Sequence, residues 1–269
     1  MNGYDRFSVG SDGPKLAAYV QPGQGPIVVM QHGLCGDANQ PAEIFPRGQG
    51  FRHAVMDCRG HGQSVVGPED QLSIAVFTQD VAAMIETLDR PPIAVGGISM
   101  GAAIALRLAV LRPDLVRALI LVRPAWGIES APANMRPNAM VGEMLADGRD
   151  VTAFDQSATA RALAIQAPDN LASLHGFFDR TPRDVTAALL CRISADGSGL
   201  TAADLAALTI PVLILCTPDD VIHPIALSRQ LATLIPGAML HEVPSKGQNR
   251  AAHTTAVQDA ITDFLKGLT

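Results

Sequence analysis

Short apolar runs alternate along this chain with longer stretches of three- and four-residue periodicity. Ile27-Val28-Val29-Met30, His53-Ala54-Val55-Met56-Asp57, Ile93-Ala94-Val95, Val116 to Val122 and Ile210 to Cys216 have strand length and are mostly apolar. Such runs predict strands covered on both faces, as in a parallel sheet. Between Ser73 and Leu88, apolar Val76, Phe77, Val81, Met84, Ile85 and Leu88 recur at helical spacing, with Gln79, Asp80 and Glu86 opposite. That stretch predicts an amphipathic helix. Further helices are expected over Ala102 to Leu111, over Ile225 to Leu234 and from about Thr255 to Leu268, with a last strand over Ala238 to Pro244. The alternation predicts an α/β fold: a mostly parallel twisted sheet with helices on both faces.

Two regions depart from that rhythm. Near the N-terminus, Leu16 to Val20 lies between glycine- and proline-rich clusters at Gly10 to Pro14 and Gln21 to Pro26, which predicts an antiparallel hairpin at a sheet edge. Residues 123 to about 207 are broken by Pro124, Pro132, Pro137, Pro168 and Pro182 into short helical pieces such as Asn138 to Leu145 and Pro182 to Ile193, with no inner strand.

Composition narrows the class. At 269 residues, with 48% hydrophobic and 17% charged positions, the chain can bury a large core and is not disordered. A formal charge of −6 argues against nucleic acid or an anionic membrane as the main partner. Cys35, Cys58, Cys191 and Cys216 form no Cys-x-x-Cys pair, so no zinc or redox motif is indicated. Met1 to Arg6 is not a basic segment leading into an apolar core, so no signal peptide is expected and the cytoplasm is the expected location. A homodimer stays open.

The chemistry centres on Gly97-Ile98-Ser99-Met100-Gly101, between a predicted strand and a predicted helix. In that context Gly-x-Ser-x-Gly is a nucleophile elbow, a tight turn that presents the serine hydroxyl above the sheet. A second loop, Gln31-His32-Gly33-Leu34-Cys35-Gly36, follows an inner strand. The amides of Leu34 and Met100 are therefore the candidate oxyanion hole.

With these two motifs, the segment Asp57-Cys58-Arg59-Gly60-His61-Gly62-Gln63-Ser64 makes the chain resemble the α/β-hydrolase superfamily. The resemblance implies a hydrolase core over 1–122 and 208–269 and a helical cap over 123–207. Trp126, Met135, Met140, Met144, Phe154, Phe177 and Phe178 of that cap are candidates to line an apolar substrate pocket. It also implies a structural role for Asp57 and Arg59, with His61 outside the catalysis, and a catalytic acid in the loop after the penultimate strand. Asp220 is the candidate there and Asp219 its rival.

The family's base is the histidine of a Gly-His pair before the last helix, but here Gly247 is followed by Gln248. A glutamine amide cannot take a serine proton. Three readings stay open: His253 supplies the imidazole, preserving the order Ser99, Asp220, His253; the base is lost; or another histidine, such as His223 or His32, reaches the serine from a different direction. The first leads to a serine hydrolase for a small to medium ester or lactone, with no metal or organic cofactor implied. The second leads to a hydrolase-like binding protein or a non-hydrolytic enzyme. Carbon–carbon bond cleavage is a variant that the sequence does not separate from the first.

Overall fold

In the computed structural model, which describes residues 1–10, 15–88 and 91–268, the predicted strands pair into one sheet. In chain order the first elements are β1 (Asp5–Val9), β2 (Leu16–Val20), β3 (Ile27–Gln31), α1 (Asn39–Ile44), β4 (Arg52–Met56), α2 (Ile74–Thr87), β5 (Ile93–Ile98), α3 (Met100–Leu111) and β6 (Val116–Val122). A helical segment follows, with α4 (Arg136–Ala146), α5 (Val151–Asp155), α6 (Ala158–Gln166), α7 (Pro168–His175), α8 (Arg183–Ser194) and α9 (Ala202–Ala206). The chain then returns to the sheet through β7 (Val212–Cys216), α10 (Ile225–Leu234), β8 (Met239–Glu242) and α11 (Arg250–Lys266).

The strands lie in the order β1-β2-β4-β3-β5-β6-β7-β8. β1 pairs antiparallel with β2, and β2 with β4; every other pairing is parallel. The expected N-terminal hairpin is thus β1–β2 at the sheet edge, while Ser11 to Pro14 of its predicted turn lie outside the described residues. Strand alternation sends Val29, Val95, Leu119, Leu121 and Ile214 to the face covered by α2, α3 and α10. Their neighbours Val28, Ala94, Ala118, Ile120 and Leu213 face α1 and α11, where they meet Phe45, Val257, Ile261 and Phe264. Both faces are therefore dry, which is why these strands read as continuous apolar runs. Among the described residues no helix is long and apolar enough to cross a membrane.

The order also fixes where a site can form. From β3 the chain moves to β4 on one side and then to β5 on the other, so the loops after β3 and β5 diverge and leave a crevice at the carboxyl ends of the strands. His32 to Gly36 leave β3 there and Ser99 leaves β5.

The Asp57 segment serves as a lock for these loops. Asp57 accepts the amides of Ala38 and Gln63 at 2.8 and 2.9 Å, and Arg59 pairs with Asp80 at 2.7 Å. His61 Nε2 accepts the Cys35 amide at 3.0 Å and His32 Nε2 accepts the Cys58 amide at 2.9 Å, so both buried imidazoles brace the β3 loop against the β4 loop. Burial lowers the pKa of each, consistent with neutral rings that accept on one nitrogen.

The last helix differs from the sequence expectation. Asn249 caps α11 by accepting the Ala252 amide at 3.0 Å, so the helix starts at Arg250 and takes His253 into its first turn.

Candidate active site

Ser99 occupies the turn between β5 and α3 with φ 55° and ψ −109°, a left-handed conformation costly for a residue with a side chain. Its neighbours show why the turn needs glycine. A Cβ on Gly97 would come within 2.3 Å of the Gly101 backbone, and one on Gly101 within 2.4 Å of the Gln31 carbonyl oxygen. Any side chain at either position would push α3 off the sheet. The elbow is further pinned by the Ser99 amide, which donates to the Val122 carbonyl at 3.0 Å.

The imidazole that meets Ser99 is His223. Its Nε2 lies 2.9 Å from Ser99 Oγ, across 124 residues of chain, and its Nδ1 lies 2.9 Å from both oxygens of Asp220. A carboxylate accepts and cannot donate, so Nδ1 carries the proton and Nε2 is left to accept from the serine hydroxyl. Asp220 and His223 share the short loop between β7 and α10, and the Asp220 carboxylate also accepts the His223 backbone amide at 2.9 Å. The two side chains are thereby fixed to one another before either meets the serine.

Two residues that the sequence did not single out complete the arrangement. Arg123, at the end of β6 with φ 48°, donates to Asp220 Oδ2 from Nη2 at 2.7 Å and from Nε at 3.0 Å. Asn170 of α7 donates to Asp220 Oδ1 at 3.0 Å, while its own Oδ1 accepts the Val221 and Ile222 amides at 2.8 and 3.2 Å. Neither residue belongs to a motif with recognisable spacing, and only the tertiary fold brings them to the acid.

The electrostatics follow from this packing. Burial opposes ionisation of Asp220, but His223 and Arg123 outweigh it and hold the carboxyl well below the usual carboxylate range. For His223, burial lowers the pKa, and nearby Arg123 and Lys246 add to that effect against the attraction of Asp220. The pair is therefore an ionised acid and a neutral imidazole near neutral pH, the state a general base requires.

His253 is not brought to the serine. Its ring is buried in the first turn of α11, and Nδ1 lies 2.9 Å from the Pro244 carbonyl oxygen. The early start of α11 corrects the expected placement, because the histidine serves to fasten the helix to the end of β8. Gln248 is exposed and donates to Asp219 Oδ2 at 3.0 Å, whereas Asp220 is the carboxylate that contacts the His223 imidazole. Among the three readings of the missing histidine, the geometry matches the one in which His223 reaches the serine. The signal in the sequence is a histidine three residues after Asp220 in one turn, but nothing local sets its ring toward Ser99.

A cavity of about 360 Å³ contains Ser99 and His223 in its lining. Leu34 and Cys35 line it from the β3 loop, and Met135, Asn138, Phe177 and Arg180 from the helical segment between β6 and β7. Trp126 and Phe154 are instead fully buried in the core, as is most of Met144. The Cys35 thiol, pushed up to about 12 by burial, is no nucleophile. On the β3 loop, Gly33 donates its amide to Gln40 at 2.6 Å and Cys35 donates to His61, whereas the Leu34 amide has no partner among the described residues. The Met100 amide, at the first position of α3, has none either.

Residues 26–249 match the family model described as the alpha/beta hydrolase fold. The chain belongs to the α/β-hydrolase family. It is 31% identical over 261 residues to the pimeloyl-[acyl-carrier protein] methyl ester esterase of Chromobacterium violaceum, covering 91% of this chain and 94% of that protein. It is 29% identical over 242 residues to the putative carbamate hydrolase RutD of Serratia proteamaculans, covering 87% and 86% of the two chains. Among solved structures, the enol-lactonase from Burkholderia xenovorans LB400 superposes with a TM-score of 0.70 at 25% identity, over 97% of this chain and 100% of that one. These α/β-hydrolase relatives are hydrolases, and hydrolysis is the class of activity that the match supports.

Proposed function

We propose that this α/β-hydrolase cleaves a carboxylic ester or lactone of a small to medium acyl substrate through an acyl-enzyme on Ser99. The observation that carries the reading is the continuous chain from Ser99 Oγ to His223 Nε2 at 2.9 Å and from His223 Nδ1 to Asp220 at 2.9 Å. The esterase and lactonase names among the relatives agree with it.

In this mechanism His223 takes the hydroxyl proton as Ser99 Oγ attacks the substrate carbonyl carbon. Negative charge develops on the carbonyl oxygen, and the unpaired amides of Leu34 and Met100 are the groups available to stabilise it. The tetrahedral species collapses, the carbon–oxygen bond to the leaving group breaks, and His223 Nε2–H gives its proton to the departing oxygen. Water, deprotonated by the same imidazole, then attacks the acyl-enzyme and releases the acid. Asp220 keeps Nδ1 protonated and stabilises the imidazolium formed in each half of the cycle.

Gln248 suggested a site without a base; against a binding-only protein speaks the His223 imidazole 2.9 Å from Ser99 Oγ. The test is covalent labelling with a fluorophosphonate, followed by peptide mass analysis. The reading expects a single adduct on Ser99, loss of p-nitrophenyl acetate turnover in proportion to labelling, and neither reaction in Ser99→Ala. An unlabelled Ser99, or unchanged turnover in Ser99→Ala, would refute it.

A further inference from the structure

The lining of the cavity has a charge that the rest of the protein lacks. Although the chain carries a formal charge of −6, the residues around the cavity include Arg123, Arg180 and Lys246 and no aspartate or glutamate. Arg123 is neutralised by Asp220, which lies behind it. The other two cations have no such partner.

Arg180 donates from Nη1 to the Cys35 carbonyl, and its Nε is buried without a hydrogen bond. A guanidinium has five N–H donors, so most of its capacity is unused. No carboxylate pairs with it among the described residues. Lys246 likewise forms no ion pair there, although Asp169 packs beside the adjacent Gly247. Lys246 is nonetheless close enough to His223 to bias its protonation, so the ammonium and the catalytic imidazole share one electrostatic space.

Asn138 adds polarity to the lining but does not itself favour an anion. It is 6% exposed, lines the same cavity, and its Oδ1 has no hydrogen-bond partner. An apolar acyl chain would leave the buried Arg180 Nε unsatisfied. A negatively charged substituent would answer the arginine and the lysine, whereas Asn138 Oδ1, an acceptor, would gain nothing from it.

The geometry points to a substrate that carries a free carboxylate, held by Arg180 and Lys246 while Ser99 attacks the ester or lactone carbonyl at the other end. This deepens the proposed hydrolase reading and rests on it for the chemical step. The apolar contribution of Met135, Leu174 and Phe177 would then cover the methylenes between the two ends.

The experiment compares monomethyl adipate with methyl hexanoate, which differ by the terminal carboxylate. The wild type is expected to favour the anionic ester in kcat/KM by at least roughly tenfold, a preference that shrinks as salt is added. Arg180→Gln and Lys246→Met should each reduce the anionic-to-neutral ratio several-fold, whereas Arg180→Lys should recover part of it. Because Arg180 also holds the Cys35 carbonyl, Lys246→Met is the cleaner variant. Equal or better turnover of methyl hexanoate by the wild type overturns the inference and leaves the hydrolase reading standing. If neither ester is cleaved, calorimetry with adipate itself decides the inference: binding that weakens in Lys246→Met sustains it, and no binding overturns it.

Discussion

Arg123 Nη2 lies 2.7 Å from Asp220 Oδ2 and 3.1 Å from His223 Nδ1, which places a permanent cation against the acid–base pair. With Nδ1 protonated, the second contact is a charge at the ring edge rather than a hydrogen bond, and it disfavours the imidazolium. Removing the cation in Arg123→Met should therefore raise the His223 pKa. The acid limb of kcat/KM, which reports loss of the neutral imidazole in the free enzyme, should move to higher pH. The variant should also melt earlier, because Asp220 loses a buried partner. A limb that stays in place or moves down would show that Arg123 has no hold on the base.

Asn170 ties the helical segment to the catalytic loop through three hydrogen bonds, one to the Asp220 carboxylate and two from the Val221 and Ile222 amides. Truncation in Asn170→Ala takes one of several donors from Asp220 and leaves the Val221 and Ile222 amides without their acceptor, at about 1–3 kcal/mol for a buried amide where water does not replace the lost oxygen. A fall of roughly tenfold or more in kcat is expected, together with a lower melting temperature. Unchanged kcat would mean that the loop holds its shape without α7.

Stability should fall on mild acidification for a reason separate from the carboxylates. His53 is fully buried, with Nδ1 2.8 Å from Tyr4 Oη and its ring stacked on Phe45 at 4.7 Å, and burial lowers its pKa to about 4. The unfolded chain regains the ordinary value near 6.5, so below it the unfolded state binds more protons than the native one. The stabilising contribution is complete above about pH 6.5 and is lost as pH falls through about 4, on the order of 3 kcal/mol for this residue. His32 and His61 act in the same direction. Denaturant titrations across that window should show stability rising with pH, with a shallower slope in His53→Phe. Identical slopes would contradict the assignment.

The parts of this protein that the sequence disclosed are those whose chemistry is local. The elbow is legible because Gly97 and Gly101 face backbone atoms that tolerate no Cβ, and the inner strands because both faces of the sheet are dry. Asp220, the acid of the proposed mechanism, was legible from its place after β7. The proposed base was not, because it depends on which imidazole the folded loop turns toward Ser99. Sequence order favoured His253, but capping by Asn249 extended α11 backward and drew that residue into the helix. His223 was visible in the same turn as Asp220, yet nothing local distinguished a packed ring from one aimed at a serine 124 residues away. Arg123 and Asn170 are further removed still, since each contacts Asp220 across a long stretch of chain.

Steady-state hydrolysis of p-nitrophenyl butyrate by two variants tests the identity of the base most directly. His223→Ala should lose at least about 10³-fold in kcat, because the serine proton then has no acceptor. His253→Asn, which can still donate to the Pro244 carbonyl, should keep kcat within a few-fold of the wild type. An active His223→Ala beside an inactive but folded His253→Asn would contradict the account and return the base to α11.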